Sequence, residues 1–152
     1  MPSLKIVPDP YNNTDALDNV INYIFRKAVS IGGMSVDPAY AADNMKLVKK
    51  IWFQEYGRQL RHFVLCFSEE ESAALCDSFL IELAYMICDY YRREYQIVFG
   101  IHKSSKKHIH FVVNSVNYLT GEKFPTQKQY DYALVRYIKT LLSCSNLDVY
   151  YT

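Results

Sequence analysis

The chain has 152 residues, a net charge of +1 and a hydrophobic share of 50%, enough for one compact core and too little for two. A charge this small excludes a global basic field as the means of attracting nucleic acid, so such a partner has to be met by local charge. No apolar run approaches the roughly 20 residues that span a bilayer, so no membrane association is expected.

SLKIVP, residues 3 to 8, reads as a short strand ended by Pro8 and Pro10. Thr14 is placed to cap a helix over DALDNVINYIFRKAV, with Leu17, Val20, Ile21 and Ile24 at helical spacing and Asp15 and Asp18 at the positive end of its dipole. Gly32-Gly33 is expected to stop it. Asp37-Pro38 opens a second helix to about Phe53, with Tyr40, Met45, Val48 and Trp52 as its apolar side.

After Gly57, RQLRHFVLCFS reads as a strand, and Ser68 to Glu71 has the form of a capping box. A long helix to about Arg93 is expected there, aligning Leu75, Phe79, Leu83, Met86, Ile87 and Tyr90. Two strands follow, YQIVFGIH and HIHFVVNSVNY, joined by the polar loop KSSKK. TQKQYDYALVRYIKTLLS reads as a helix and LDVYYT as a final edge strand. The order predicts a single α+β domain over residues 1–152, a largely antiparallel sheet packed with helices.

Cys66, Cys76, Cys88 and Cys144 are spread without a CxxC pair, and the acidic, proline-bearing start differs from a secretory leader. They read as free thiols in a cytoplasmic protein, the first three within apolar patterns.

The chain holds four histidines, and His102, His108 and His110 crowd one hairpin. Strand alternation puts His108, His110, Val112 and Asn114 on one face, and Ile109, Phe111, Val113 and Ser115 on a face that packs on helices. Two imidazoles side by side, with a third across a tight loop, suit a Lewis-acid metal with positions left open. His62 reads as a residue at the surface or behind the ligands. Lys103, Lys106 and Lys107 are candidate phosphate contacts, and Asn114 and Asn117 satisfy backbone or sugar-phosphate groups.

His108-Ile109-His110 followed by FVVN resembles the histidine–hydrophobe–histidine signature of HUH endonucleases. The wider pattern is similar to the mobilization relaxases of conjugative plasmids and integrative elements. It comprises DNVINYIFRKAVSIGGMSVDP, then RQLRHFVLCFSEEE before a helix, then HIHFVVNSVNYLTGEKF, spanning about residues 14 to 125. The resemblance implies an HUH relaxase-like fold, a ferredoxin-like elaboration, with Mg²⁺ or Mn²⁺ on His102, His108 and His110. It also implies Tyr23 as the nucleophile, with Tyr11 the next candidate. The implied partners are single-stranded DNA at an origin of transfer, contacted by Lys103, Lys106, Lys107 and Asn114, and accessory relaxosome proteins. The implied activity is a metal-dependent nicking endonuclease that leaves a 5′-phosphotyrosine. Ser104 stands where the family often has an acid, which keeps a catalytically inactive DNA-binding module as one alternative; a metal-dependent phosphoesterase in which water attacks is a separate one. Such relaxases commonly carry further domains, so the chain reads as a catalytic domain or a small member.

Overall fold

The computed structural model describes residues 2–91, 93–143 and 150–151. In chain order the elements are β1 (Ser3–Ile6), α1 (Ala16–Arg26), β2 (Ser30–Met34), a 3₁₀ turn (Pro38–Tyr40) leading into α2 (Ala41–Ile51), and β3 (Leu60–Cys66). Then come α3 (Glu69–Ala74), α4 (Asp77–Cys88), a second 3₁₀ turn (Asp89–Tyr91), β4 (Ile97–His102), β5 (His108–Asn114), α5 (Lys128–Ser143) and β6 (Tyr150–Tyr151). The sheet runs β2-β4-β5-β3-β1-β6. Its first five strands pair antiparallel, while the short β6 joins β1 in parallel. The α+β, largely antiparallel fold expected from the element order is present. Cys144 and most of the expected terminal strand lie outside the described residues.

Both faces of the sheet are covered. Phe63, Leu65, Phe99, Ile109, Phe111 and Val113 pack against α4 and α5 in the larger core, where the Phe63 and Phe111 rings stack at 4.8 Å. On the other face the sequence predicts the imidazoles of His108 and His110 beside Val112 and Asn114, with no helix covering it. In fact Val98 and Val112 are buried on it beneath Leu17, Ile21 and Ile24 of α1 and Met45 of α2. The end carrying the histidines lies beyond this second core.

Local signals behave as their chemistry demands. Asp37 accepts from Ala39 N–H at 3.0 Å with Pro38 next to it, and Ser68 and Glu71 complete a reciprocal capping box. Other expectations yield to tertiary packing. Thr14 does not cap α1, whose cap position is Asp15. The buried stripe of α2 is Ala41, Met45 and Lys49, while Tyr40 is exposed.

Gly32 and Gly33 do not end a helix; they lie inside β2. A Cβ on Gly32 would meet the Phe99 ring at 2.4 Å and the Tyr85 hydroxyl at 2.6 Å. These glycines therefore serve close approach rather than chain reversal.

The long helix expected up to Arg93 is broken at Leu75, whose backbone is extended. The hairpin loop docks on the break. Lys107 Nζ donates to Leu75 O and Lys107 N–H to Ser72 Oγ, both at 2.7 Å.

Candidate metal centre and tyrosine helix

The β4–β5 hairpin brings His102 directly opposite His108, and His110 opposite Gly100. Alternation along the strands then sends all three imidazoles to the α1 side of the sheet. Their ring centroids are 5.1 Å (His102–His108), 4.6 Å (His102–His110) and 5.1 Å (His108–His110) apart. One nitrogen of each lies within 4.8 Å of the others, so small rotations bring all three onto one cation. Three imidazole nitrogens without thiolate or carboxylate fit a divalent Lewis acid that keeps coordination positions open.

Each ring is held from behind. His102 Nε2–H donates to Ile24 O at 2.6 Å; a carbonyl only accepts, so the proton sits on Nε2 and Nδ1 is free. His108 Nδ1–H likewise donates to Lys106 O at 3.0 Å, freeing Nε2. His110 Nδ1 instead meets His62 Nε2 at 2.9 Å, and His62 Nδ1 meets the Tyr11 hydroxyl at 3.1 Å. His62 is buried, which rules out the surface and leaves the position behind His110.

Burial, then the charges of His62, His102 and His108, pushes His110 down to about 3. Burial and then Lys5 push His62 down to about 4. Both are neutral near pH 7, the form in which imidazole offers a lone pair.

Tyr23 projects from α1 toward this cluster. Its ring lies 5.7 Å from His110, edge-on, and 6.5 Å from His102, yet the residue is 55% exposed. Leu17, Ile21 and Ile24 bury the opposite stripe of the helix, which leaves Tyr23 at the open margin. Gly100 makes the seating of α1 feasible, because a Cβ there would lie 2.6 Å from Ile24 O. A cleft of about 240 Å³ beside the triad is lined by Tyr23, Arg26, Lys27 and His102.

Residues 23–146 match the family model of the MobA/VirD2-like relaxase nuclease domain. The chain belongs to that family. Among its curated relatives are two proteins named rlx from Staphylococcus aureus, 29% and 28% identical over 119 residues. The matches cover 77% of this chain and 36% of each relative, so the chain spans little more than a third of their length. A solved structure from work on the molecular basis of vancomycin resistance transfer in Staphylococcus aureus superposes with a TM-score of 0.53 at 13% identity. That match covers 82% of this chain and 75% of the other; at this identity it shows a shared fold.

In this relaxase domain several expected DNA contacts are taken up by the fold. Asn114 is fully buried, its Nδ2 donating to Met45 O at 3.2 Å and Gln96 Oε1 at 3.0 Å. Of its two expected roles it takes the backbone one, on Met45 O, and its burial speaks against the DNA contact. Lys107 is engaged on the α3–α4 break, and Lys103 pairs with Asp77 at 2.6 Å. Of the loop lysines, Lys106 alone is exposed without such a side-chain anchor among the described residues. Asn117 Oδ1 accepts from Leu119 and Thr120 N–H, the backbone role expected of it. Ser104 Oγ donates to Lys106 O at 2.9 Å and shapes the loop rather than joining the triad.

Arg26 and Lys27 are the cations of this cleft, and neither belongs to the expected phosphate contacts. Their signal was available: they follow Tyr23 by three and four positions, the spacing that puts helical side chains on one face. No helix among the described residues is long and apolar enough to cross a membrane.

Proposed function

We propose that this domain nicks one strand of DNA at an origin of transfer, with Tyr23 as nucleophile and Mg²⁺ or Mn²⁺ held by His102, His108 and His110. The observation that carries the reading is the exposed Tyr23 ring 5.7 Å from His110, in a cleft it shares with Arg26 and Lys27. The Tyr23 phenol loses its proton as Oη bonds to phosphorus; the P–O3′ bond breaks and the 3′ oxygen takes up a proton. His102, His108 and His110 would hold a divalent cation, which when bound would supply Lewis-acid stabilisation of the charge that develops on the phosphate. Arg26 and Lys27 hold the phosphates of the entering strand, with Lys106 beyond the triad. The phosphotyrosine retains the bond energy, so the reverse reaction rejoins the strand.

Tyr11 is less suited to attack. Its hydroxyl is engaged by His62, and burial, then Asp9 and Tyr23, raise its pKa. The proposed substrate is single-stranded, because Tyr23 has to reach a phosphate in an extruded strand. Accessory relaxosome proteins are the proposed partners, and the proposed setting is the cytoplasm, where Cys66, Cys76 and Cys88, free in this fold, persist as thiols.

The test is incubation with Mn²⁺ and an oligonucleotide spanning the cognate nick site. An SDS-resistant species carrying the 3′ part of the cut strand is expected. Cleavage without that species would transfer the attack to water. Binding of the cognate oligonucleotide with no cleavage would leave a DNA-binding module in its place.

A further inference from the structure

The geometry points to His62 and Tyr11 as positioning residues of the metal centre, acting through His110 by setting which of its nitrogens carries the proton. This rests on the metal-centre reading above. Two of the three ligands need no such help. Ile24 O behind His102 and Lys106 O behind His108 can only accept, so each fixes one tautomer. His110 has another imidazole behind it, at 2.9 Å, and an imidazole nitrogen can accept or donate.

The contact therefore has two directions. In one, His110 Nδ1–H donates to His62 Nε2, His62 Nδ1–H donates to the Tyr11 oxygen at 3.1 Å, and His110 Nε2 offers its lone pair to the site. In the other, Tyr11 O–H donates to His62 Nδ1 and His62 Nε2–H donates to His110 Nδ1. The His110 proton then sits on Nε2, and the third ligand is lost. Binding of a cation and the direction of the Tyr11–His62–His110 chain are thus one equilibrium. The chain ties β3 and the segment before α1 to β5, and all its side-chain contacts lie on the α1 face of the sheet.

Two measurements on the same protein test this. Nitrogen NMR of ¹⁵N-histidine protein with Mg²⁺ should find His110 protonated at Nδ1 and His62 at Nδ1. Calorimetry with Mn²⁺ should show His62→Leu binding about 10- to 100-fold more weakly than wild type. His62→Gln, whose Oε1 can accept from His110 Nδ1–H, should recover most of that loss, and Tyr11→Phe should fall between. A Gln variant no better than Leu would reduce His62 to a packing residue and overturn the inference. So would His62→Leu binding within twofold of wild type, or His110 protonated at Nε2 in the Mg²⁺-loaded protein. If His62→Leu fails to fold, the wild-type NMR and the Gln variant decide. Wild type that binds no Mn²⁺ would overturn the metal centre itself, a result distinct from binding that His62 does not influence.

Discussion

His102 and Ile24 share a hydrogen bond of 2.6 Å, ring N–H to carbonyl, that joins the strand bearing the triad to the helix bearing the tyrosine. Ile24 is the immediate neighbour of Tyr23, so the bond that fixes the His102 tautomer also sets where the phenol hangs. Gly100, on the same sheet face two residues before His102, supplies the room for that contact.

Gly100→Ala is accordingly expected to destabilise the domain by about 1–3 kcal/mol, the usual cost of overpacking. It should slow adduct formation as well, because a Cβ 2.6 Å from Ile24 O lifts α1 away from the triad. Urea unfolding and adduct kinetics measure the two effects. An alanine variant with wild-type stability would mean the helix has slack the structure does not show.

Tyr23→Phe removes only the hydroxyl of a half-exposed residue, so its melting temperature should stay within about a degree or two of wild type, as for most surface changes. Its SDS-resistant DNA adduct should vanish. Tyr11→Phe should retain the adduct at a reduced rate. Loss of the adduct in Tyr11→Phe with its persistence in Tyr23→Phe would move the nucleophile to the N-terminal segment.

The double variant His108→Ala, His110→Ala removes two of the three imidazole donors, and calorimetry should find no Mn²⁺ binding at concentrations that saturate wild type. Equal affinity in the two proteins would place the cation elsewhere.

For DNA, Arg26→Ala and Lys27→Ala should each weaken binding to a single-stranded oligonucleotide irrespective of sequence, and make its salt dependence shallower by about one ion. Lys107→Ala should behave differently: it loses the side-chain bond to Leu75 O, keeps the backbone bond to Ser72 Oγ, and should lower the melting temperature more than the affinity. Fluorescence anisotropy across a salt series distinguishes these patterns, and a shallower slope for Lys107→Ala alone would restore the loop as the phosphate contact.

Stability should also depend on pH through a residue far from chemistry. Lys49 is buried, donates to Ser115 Oγ at 2.5 Å, and is held down to about 7 by burial and then by the charge of Lys123. Its ordinary value is 10.5, so between those two pH values the unfolded chain binds more protons. The stability this group contributes is therefore full above pH 10.5 and lost as pH falls through 7. Wild type should gain on the order of a few kcal/mol between pH 7 and 9.5, and Lys49→Met should flatten that rise. A parallel rise in the methionine variant would assign it to other groups.

What the sequence by itself determined was whatever neighbouring residues decide together. The Ser68–Glu71 capping box, the Asp37-Pro38 opening and the hairpin over residues 103–107 each close within a few positions, and they stand as local chemistry dictates. The histidine cluster was legible for the same reason: period-two alternation and one tight loop place His102, His108 and His110 together without reference to the rest of the chain. Tertiary structure decided everything that depended on a distant partner. Gly32 lies within a strand because Phe99 and Tyr85 occupy the space a side chain would need. The helix breaks at Leu75 because Lys107 arrives to take its carbonyl. His62 and Tyr11 stand behind His110 although they come from segments 48 and 51 residues apart in their pairings. Asn114 is sealed beneath α2 although it shares a face with the histidines. In each case the local pattern permits more than one outcome, and the choice belongs to contacts whose partners no window of sequence contains.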